Sequence, residues 1–355
     1  MRMSELFNSS VVASRWTGDV STRTADMGAA LFPSRKKMGL DIKEIRGHKG
    51  LPVSLAPSNF DAASTLRARE GFKVNEREMA FFRESMLVKE REEQEVMRVQ
   101  SKEDSYAKEV LDRIYDDAST LLEGADVVAE RMRMQLLCPE IDGSPRILIS
   151  SDGKQYAYNY DEDGSYAANN YKELSGTSAW TDHASADPLT DLGDAIQAVV
   201  ALTGSRPAIA LMNSVTFKHL KQIESVRSAI LAQNVSANVY LNDARVKDAL
   251  RSEVDLGVAI YDKQYKDEEG NVHKYFKDGF VTLIPEGALG TTWYGTTPEE
   301  RTLNGSGEAD VTVLASGVAI AVKITEDPVN TKTTVSEILL PSYERMAETY
   351  VLKVY

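Results

Sequence analysis

One cysteine, Cys138, and four histidines are all the thiol and imidazole ligands that 355 residues offer. A single thiol excludes an intramolecular disulfide framework, and so few Cys and His residues leave no obvious ligand set for structural zinc. Cys138 itself reads as a small buried residue at a helix end. Long apolar runs are also missing. The richest, Ala195 to Leu202, is interrupted by Gln197 and falls well short of the roughly 18 residues that a membrane span needs. No basic, apolar leader opens the sequence, so a cytosolic protein without a secretion signal is expected. Basic charge is scarce: 41 Lys and Arg stand against 54 Asp and Glu, a formal net charge of -13. That balance argues against a protein whose main work is gripping nucleic-acid phosphates. It is compatible with one that encloses nucleic acid without holding it tightly.

Familiar catalytic patterns are absent as well. There is no phosphate loop, no Rossmann glycine fingerprint and no nucleophile elbow. His48, His183, His219 and His273 lie in four separate segments without ligand spacing, and His219 reads as a surface residue beside Lys218. Asn159, Asp161, Asp163 and Gly164 resemble the start of a calcium loop. The twelfth position, however, is Asn170, where a bidentate Glu belongs. No catalytic, cofactor or metal site is expected.

What is present is order. Residues 1–36 hold Val11, Val12, Trp16, Leu31 and Phe32 among Ser, Thr, Arg and Asp, with no lasting period of 2 or 3.6. Such a segment buries too little apolar surface to offset its own ordering entropy. It reads as an arm ordered by another surface. Residues 37–75 carry short β-like runs (Gly39 to Ile45, Leu51 to Leu55, Leu66 to Val74) punctuated by glycine and proline. Lys43, Arg46, Lys49, Arg67 and Arg69 make this excursion basic on an acidic protein, a polarity suited to docking on an acidic patch of another copy. Met79 to Gln100 is charged and helix-prone, with irregular apolar spacing. Leu111, Ile114, Ala118, Leu121, Ala125, Val128, Met132 and Leu136 then recur at steps of three and four. They predict one helix over about Lys102 to Leu137, stopped by Pro139.

A hairpin is predicted around Asp152-Gly153, followed by a polar connection with Trp180. An α/β region starts at Asp187, an N-cap with Pro188 at the first helical position. The expected elements are a helix ending at Gly204, a strand over Ala208 to Met212, a helix over Phe217 to Ile230, a short strand at Val239 to Leu241, and a short helix from Asp243. Strands over Val258 to Tyr261 and Phe280 to Ile284 follow, joined through a hairpin tip near Glu268-Glu269-Gly270-Asn271. Three last strands (Val318 to Ile324, Thr333 to Leu340, Thr349 to Val354) are expected to return to the long helix and its hairpin.

An arm, a basic β-excursion, a very long helix, an inserted α/β domain and a returning sheet together resemble the coat-subunit fold of tailed bacteriophages. Short stretches are similar to the lambda-like major capsid protein E family in particular. They are Leu55-Ala56-Pro57, Phe81-Phe82-Arg83-Glu84, Trp180 with Asp187-Pro188 and Asp191, Leu283-Ile284-Pro285, Thr292-Trp293-Tyr294-Gly295 and Leu340-Pro341-Ser342-Tyr343-Glu344-Arg345. The resemblance implies an α+β fold with an N-terminal arm (1–36), an extended loop (37–75) and a peripheral domain (76–186) built on the spine helix. An axial domain (187–300) and a return to the peripheral domain (301–355) complete it. It implies a structural shell subunit, assembling as pentamers and hexamers into an icosahedral container for DNA. A separate scaffolding protein, a portal, a decoration protein and a processing protease are the implied partners. The locations implied are the virion and, during assembly, the host cytoplasm.

On this reading Trp16, Phe32, Lys43, Arg46, Lys49, Leu51, Leu55, Arg67 and Arg69 are expected subunit contacts. Three alternatives stay open on the sequence: a cellular nanocompartment shell of the same fold, an α/β hydrolytic enzyme with its site in 187–300, and a phosphate-gripping nucleic-acid binder.

Overall fold

The structure is a computed structural model that describes residues 8–46, 73–99, 105–151, 154–231, 241–267, 269–326 and 328–355. The chain divides into two compact units. One gathers residues 1–42, 76–132 and 291–342, and the other 43–75, 133–290 and 343–355.

The long helix is real: Ser105–Leu137, 33 residues and about 50 Å at 1.5 Å per residue. Ile114, Ala118, Leu121, Leu122, Ala125, Ala129 and Met132 form its buried stripe in the first unit. The division between the units falls inside it, after Met132.

In the first unit a six-stranded sheet is organised around one 14-residue strand, Val329–Ser342. Strand Ala319–Glu326 pairs antiparallel with its first half and Thr291–Tyr294 with its last four residues. Ala80–Val88 runs antiparallel along its other side, from Val88 opposite Thr331 to Ala80 opposite Leu339. Asp310–Val313 extends the sheet beyond Ala319–Glu326, and Ser34–Lys36 pairs parallel with Thr292 to Tyr294. Flanked on both sides, the central strand is buried over its last eight residues. Gly317 makes a tight turn possible: it sits at φ +101°, and a Cβ there would come within 2.5 Å of Tyr294.

Strand Ala80–Val88 corrects the expectation of a helix-prone stretch. Its charges Arg83 and Glu84 are exposed, while Ala80 and Val88 are buried. Pairing with a buried neighbour decided its state over local propensity. The charged helix begins only at Glu90, spanning Glu90–Val99, and its start is tied to the sheet: Glu90 Oε1 accepts from Val329 N–H at 2.8 Å.

The N-terminal segment departs further from expectation. Asn8 caps a helix, Ser9–Thr22, by accepting from Val11 N–H at 2.9 Å. Val12, Ala13 and Trp16 are buried, and the helix lies beside strands Asp310–Val313 and Ala319–Glu326. A second, short helix, Met27–Leu31, has no cap of its own. Glu130 of the long helix takes that role, its Oε1 accepting from Gly28 N–H at 2.9 Å. Residues 8–36 therefore have a home on their own chain, which residue spacing alone did not show.

The second unit holds a five-stranded mixed sheet in the order Tyr171–Glu173, Tyr350–Lys353, Phe280–Ile284, Ile209–Met212, Gly257–Ile260. Helices Pro188–Thr203, Ser214–Gln222, Glu224–Leu231 and Asp243–Glu253 belong to the same unit. The first carries its expected signals: Asp187 at the N-cap, Pro188 next, and Gly204 at φ 72° closing it. Trp180, Leu192, Ile196, Val199, Met212 and Leu283 lie in one continuous apolar core. The hairpin Arg146–Ser151 with Lys154–Asn159 forms as expected. Gln135 clamps it, exchanging two hydrogen bonds of 2.9 and 3.0 Å with the backbone of Leu148.

Three expectations change here. The helix over Phe217 to Ile230 is two helices, because Ile223 leaves the helical region at ψ 134°. Strands Gly257–Ile260 and Phe280–Ile284 are not neighbours: Ile209–Met212 lies between them, and a separate hairpin, Gln264–Lys266 with Val272–Lys274, occupies the connection. Strand Tyr350–Lys353 pairs with Phe280–Ile284 and Tyr171–Glu173 rather than with the hairpin that follows the long helix. In the predicted strand Val239 to Leu241, the first two residues lie outside the described residues, and Leu241 is a buried loop residue.

Candidate assembly surfaces

The residues singled out from sequence fall into three groups. Trp16 is 5% exposed and Phe32 0%, both within the first unit. Phe32 is held where Thr292 Oγ1 donates to its carbonyl at 2.9 Å. Neither side chain has area left for a neighbouring copy to cover, so their expected role as subunit contacts is not what this structure supports. Lys43 and Arg46 lie on strand Asp41–Arg46, which pairs with Lys73–Glu78 in a two-stranded ribbon. Lys49, Leu51, Leu55, Arg67 and Arg69 lie outside the described residues.

Exposed polar ties fasten the N-terminal helix. Arg15 reaches Asp112 at 3.3 Å and lies over the Tyr115 ring at 4.8 Å, while Arg23 reaches Glu123 at 2.6 Å and covers the Trp16 ring at 4.7 Å. Ser9 N–H donates to Asp310 Oδ2 at 2.7 Å. Burial pushes the Tyr115 phenol up, against the pull of Arg15.

A second polar cluster in the same unit joins three strands through the turn Glu299–Leu303. Glu299 accepts from Arg83 at 3.2 Å and from Ser336 at 2.7 Å, and Glu300 from Lys36 at 2.5 Å. Glu299 is nearly buried while Arg83 is about half exposed. The cluster is structural in form: each carboxylate faces a strand.

The calcium-like loop uses its carboxylates inwardly. Asp161 accepts from the N–H groups of Tyr166 and Ala167, both at 2.9 Å, and from Ser144 at 3.3 Å. Asp163 accepts from Ser165. These carboxylates hold the short helix Ser165–Asn169. Nearby, Tyr166 and Tyr343 both reach Thr349 Oγ1, at 3.1 and 2.9 Å. Burial pushes both phenols up, and the Cys138 thiol likewise. A buried, protonated thiol is inert, as expected for a packing residue. Tyr171 is pushed up to about 12, chiefly by burial and then by Glu173.

Among the described residues no group of three or more His, Cys, Asp or Glu is placed to hold a metal ion. A cleft lined by Met86, Leu87, Glu92, Ile114 and Asp117 has a volume of about 50 Å³. Small-molecule sites start at roughly 300 Å³. No described helix is long and apolar enough to cross a membrane.

The model of the family described as phage major capsid protein E matches residues 20–354. The chain belongs to that family. This capsid-family chain is also similar in fold to a phage-related protein from Bordetella bronchiseptica RB50, with a TM-score of 0.56, 13% identity, and 98% and 97% of the two chains covered. A second likeness is to the candidate capsid protein of a prophage of E. coli CFT073, with a TM-score of 0.52, 12% identity and 80% of each chain covered. No curated protein matches it. The chain is a phage major capsid protein, a structural component of the virion shell. The nanocompartment alternative is not favoured.

The landmarks quoted from sequence for this family sit at structurally decisive places. Thr292-Trp293-Tyr294-Gly295 and Leu340-Pro341-Ser342-Tyr343-Glu344-Arg345 flank the two late passages between the units, after Gly290 and after Ser342. Each passage is pinned within its unit. Ser342 Oγ donates to Thr291 O at 3.0 Å in the first, and in the second Arg345 N–H donates to Leu289 O at 2.9 Å and its guanidinium to Glu286 O at 2.8 Å. Trp180 Nε1–H donates to Asp191 at 3.2 Å, joining the two halves of a third landmark.

Proposed function

We propose that copies of this chain assemble as pentamers and hexamers into an icosahedral shell that encloses phage DNA. The family match over residues 20–354 carries this reading. The subunit is a non-enzymatic building block, assembled in the host cytoplasm on a separate scaffolding protein, with a portal at one vertex and a decoration protein outside. Many weak contacts repeated by symmetry, rather than one tight site, would hold the lattice. Residues 37–75 would be the extended loop and residues 187–300 the axial domain. The basic residues Lys43, Arg46, Lys49, Arg67 and Arg69, with Leu51 and Leu55, would then dock on an acidic surface of a neighbouring copy. The net charge of -13 supports a container that leaves phosphates free for packing and release.

Electron microscopy of the protein expressed with and without its scaffold tests this. Closed particles with five- and six-fold capsomers are the expected result. Small discrete oligomers under every assembly condition would overturn it.

A further inference from the structure

Of the four histidines scattered along the sequence, folding brings two face to face. His183 lies in the turn that follows Trp180, and His219 lies on helix Ser214–Gln222. His183 Nε2 and His219 Nδ1 are 3.0 Å apart, and the ring of Tyr355 meets His219 edge-on at 5.2 Å between centroids. The turn's backbone is anchored nearby. Trp180 N–H donates to Val354 O at 2.9 Å, Glu224 N–H to His183 O at 2.8 Å, and Ser225 Oγ to Ala186 O at 3.0 Å.

A bond between two imidazoles needs one N–H and one lone pair. Proton uptake by both rings removes the lone pair and sets two cations 3.0 Å apart. The surrounding charges do not relieve this. Lys218 adds positive charge beside His219, and Asp278 opposes it. Asp278 is already engaged by Lys274 at 2.8 and 3.0 Å and by the Asn213 amide. Asp182, in the turn itself, spends one oxygen on the N–H groups of Ala184 and Ser185. Glu224 meets His183 through its backbone N–H. Burial, then His183, then Lys218 hold the His219 pKa below its ordinary value.

We infer that His183 and His219 form an acid-opened clasp that fastens the turn 179–187 to helix Ser214–Gln222, so that this part of the subunit loosens once both imidazoles carry a proton. The clasp stands independently of the shell reading, since it rests on contacts within one unit of one copy. In a shell it would make the second unit the acid-sensitive part of the lattice.

Hydrogen exchange on the full chain at pH 7.5 and 5.0, corrected for intrinsic rates, tests it. Amides of residues 181–186 are expected to lose about tenfold in protection in acid, one pKa unit's worth of coupling. His183→Gln keeps a hydrogen-bonding side chain without the titration, and its protection there should be the same at both pH values. Equal protection in the unaltered protein at both pH values, or an acid loss that persists in His183→Gln, overturns the clasp. NMR titration of the imidazoles in the unaltered protein is a second readout that needs no variant. The His219 imidazole is expected to titrate below the ordinary histidine range. An ordinary His219 titration would overturn the clasp.

Discussion

The two units of this subunit are held together by different means. The second has a continuous apolar core running from Trp180 and Leu192 through Met212 to Leu283 and Leu352. The first buries more charge: Glu130 is 0% exposed, Glu337 2% and Glu299 5%, against Asp161 and Arg133 in the second, and its central strand carries buried Thr331, Thr333 and Ser336. An apolar core fails by degrees as atoms are removed, because the cost follows lost contacts and cavity volume. A buried polar cluster fails asymmetrically: removing one partner strands the other, whereas removing both can cost little. The contrast can be broken or sharpened by substitution.

The largest effect is expected from Trp180→Ala, which empties the middle of the second unit's core and breaks the bond to Asp191. A loss of about 3–5 kcal/mol in urea unfolding would show it. Next comes the asymmetry in the first unit. Arg83→Ala leaves Glu299 nearly buried with only Ser336 among its stated partners, and should cost about 2 kcal/mol. Glu299→Gln keeps an acceptor for Ser336 and lets Arg83 turn to water, so it should cost less than Arg83→Ala. If the two cost the same, or the order reverses, the distinction between the units is lost. Asp161→Ala, which frees the N–H groups of Tyr166 and Ala167, should cost about 1–2 kcal/mol as loss of a helix cap. Arg23→Ala removes an exposed ion pair and a ring contact on the N-terminal helix, and less than about 1 kcal/mol is expected.

The histidine pairs give a comparison in pH. Asp267 is held down to about 2, chiefly by its 2.7 Å bond with His273 and then by Asn271. Its folded pKa lies below the unfolded value, so the stabilisation is complete above about pH 4 and is lost as pH falls through about 2. His219 is also depressed, so its contribution is present above about pH 6.5 and declines as pH falls. As pH falls from neutral towards about 4, the hairpin at Asp267 should therefore stay intact while the turn at His183 opens. An Asp267 carboxylate that titrates in the ordinary range by NMR, or that fails to rise in His273→Ala, would contradict this.

What could be foreseen divides along physical lines. The long helix and helix Pro188–Thr203 were legible because local signals suffice for them: an eight-residue apolar stripe, Pro139 as a stop, and Asp187, Pro188 and Gly204 at the ends. Strand Ala80–Val88 was not, because its state is set by a partner more than 240 residues away. The N-terminal helix was missed for a similar reason. Its buried apolar residues, among those described, are Val12, Ala13 and Trp16, and the surface receiving it includes strands near residue 310. Spacing within 36 residues cannot reveal that surface. The expectation that Trp16 and Phe32 wait for a neighbouring copy therefore gives way, while membership in the capsid family rests on the match over residues 20–354. The facing of His183 and His219 left no trace in spacing, since only the fold sets it.

The strand Tyr350–Lys353 sits inside the second unit's sheet, between Tyr171–Glu173 and Phe280–Ile284, rather than at its rim. During synthesis that sheet stays split until residue 353 has cleared the ribosome. The outer strand Tyr171–Glu173 thus has no partner in its sheet until Tyr350–Lys353 arrives.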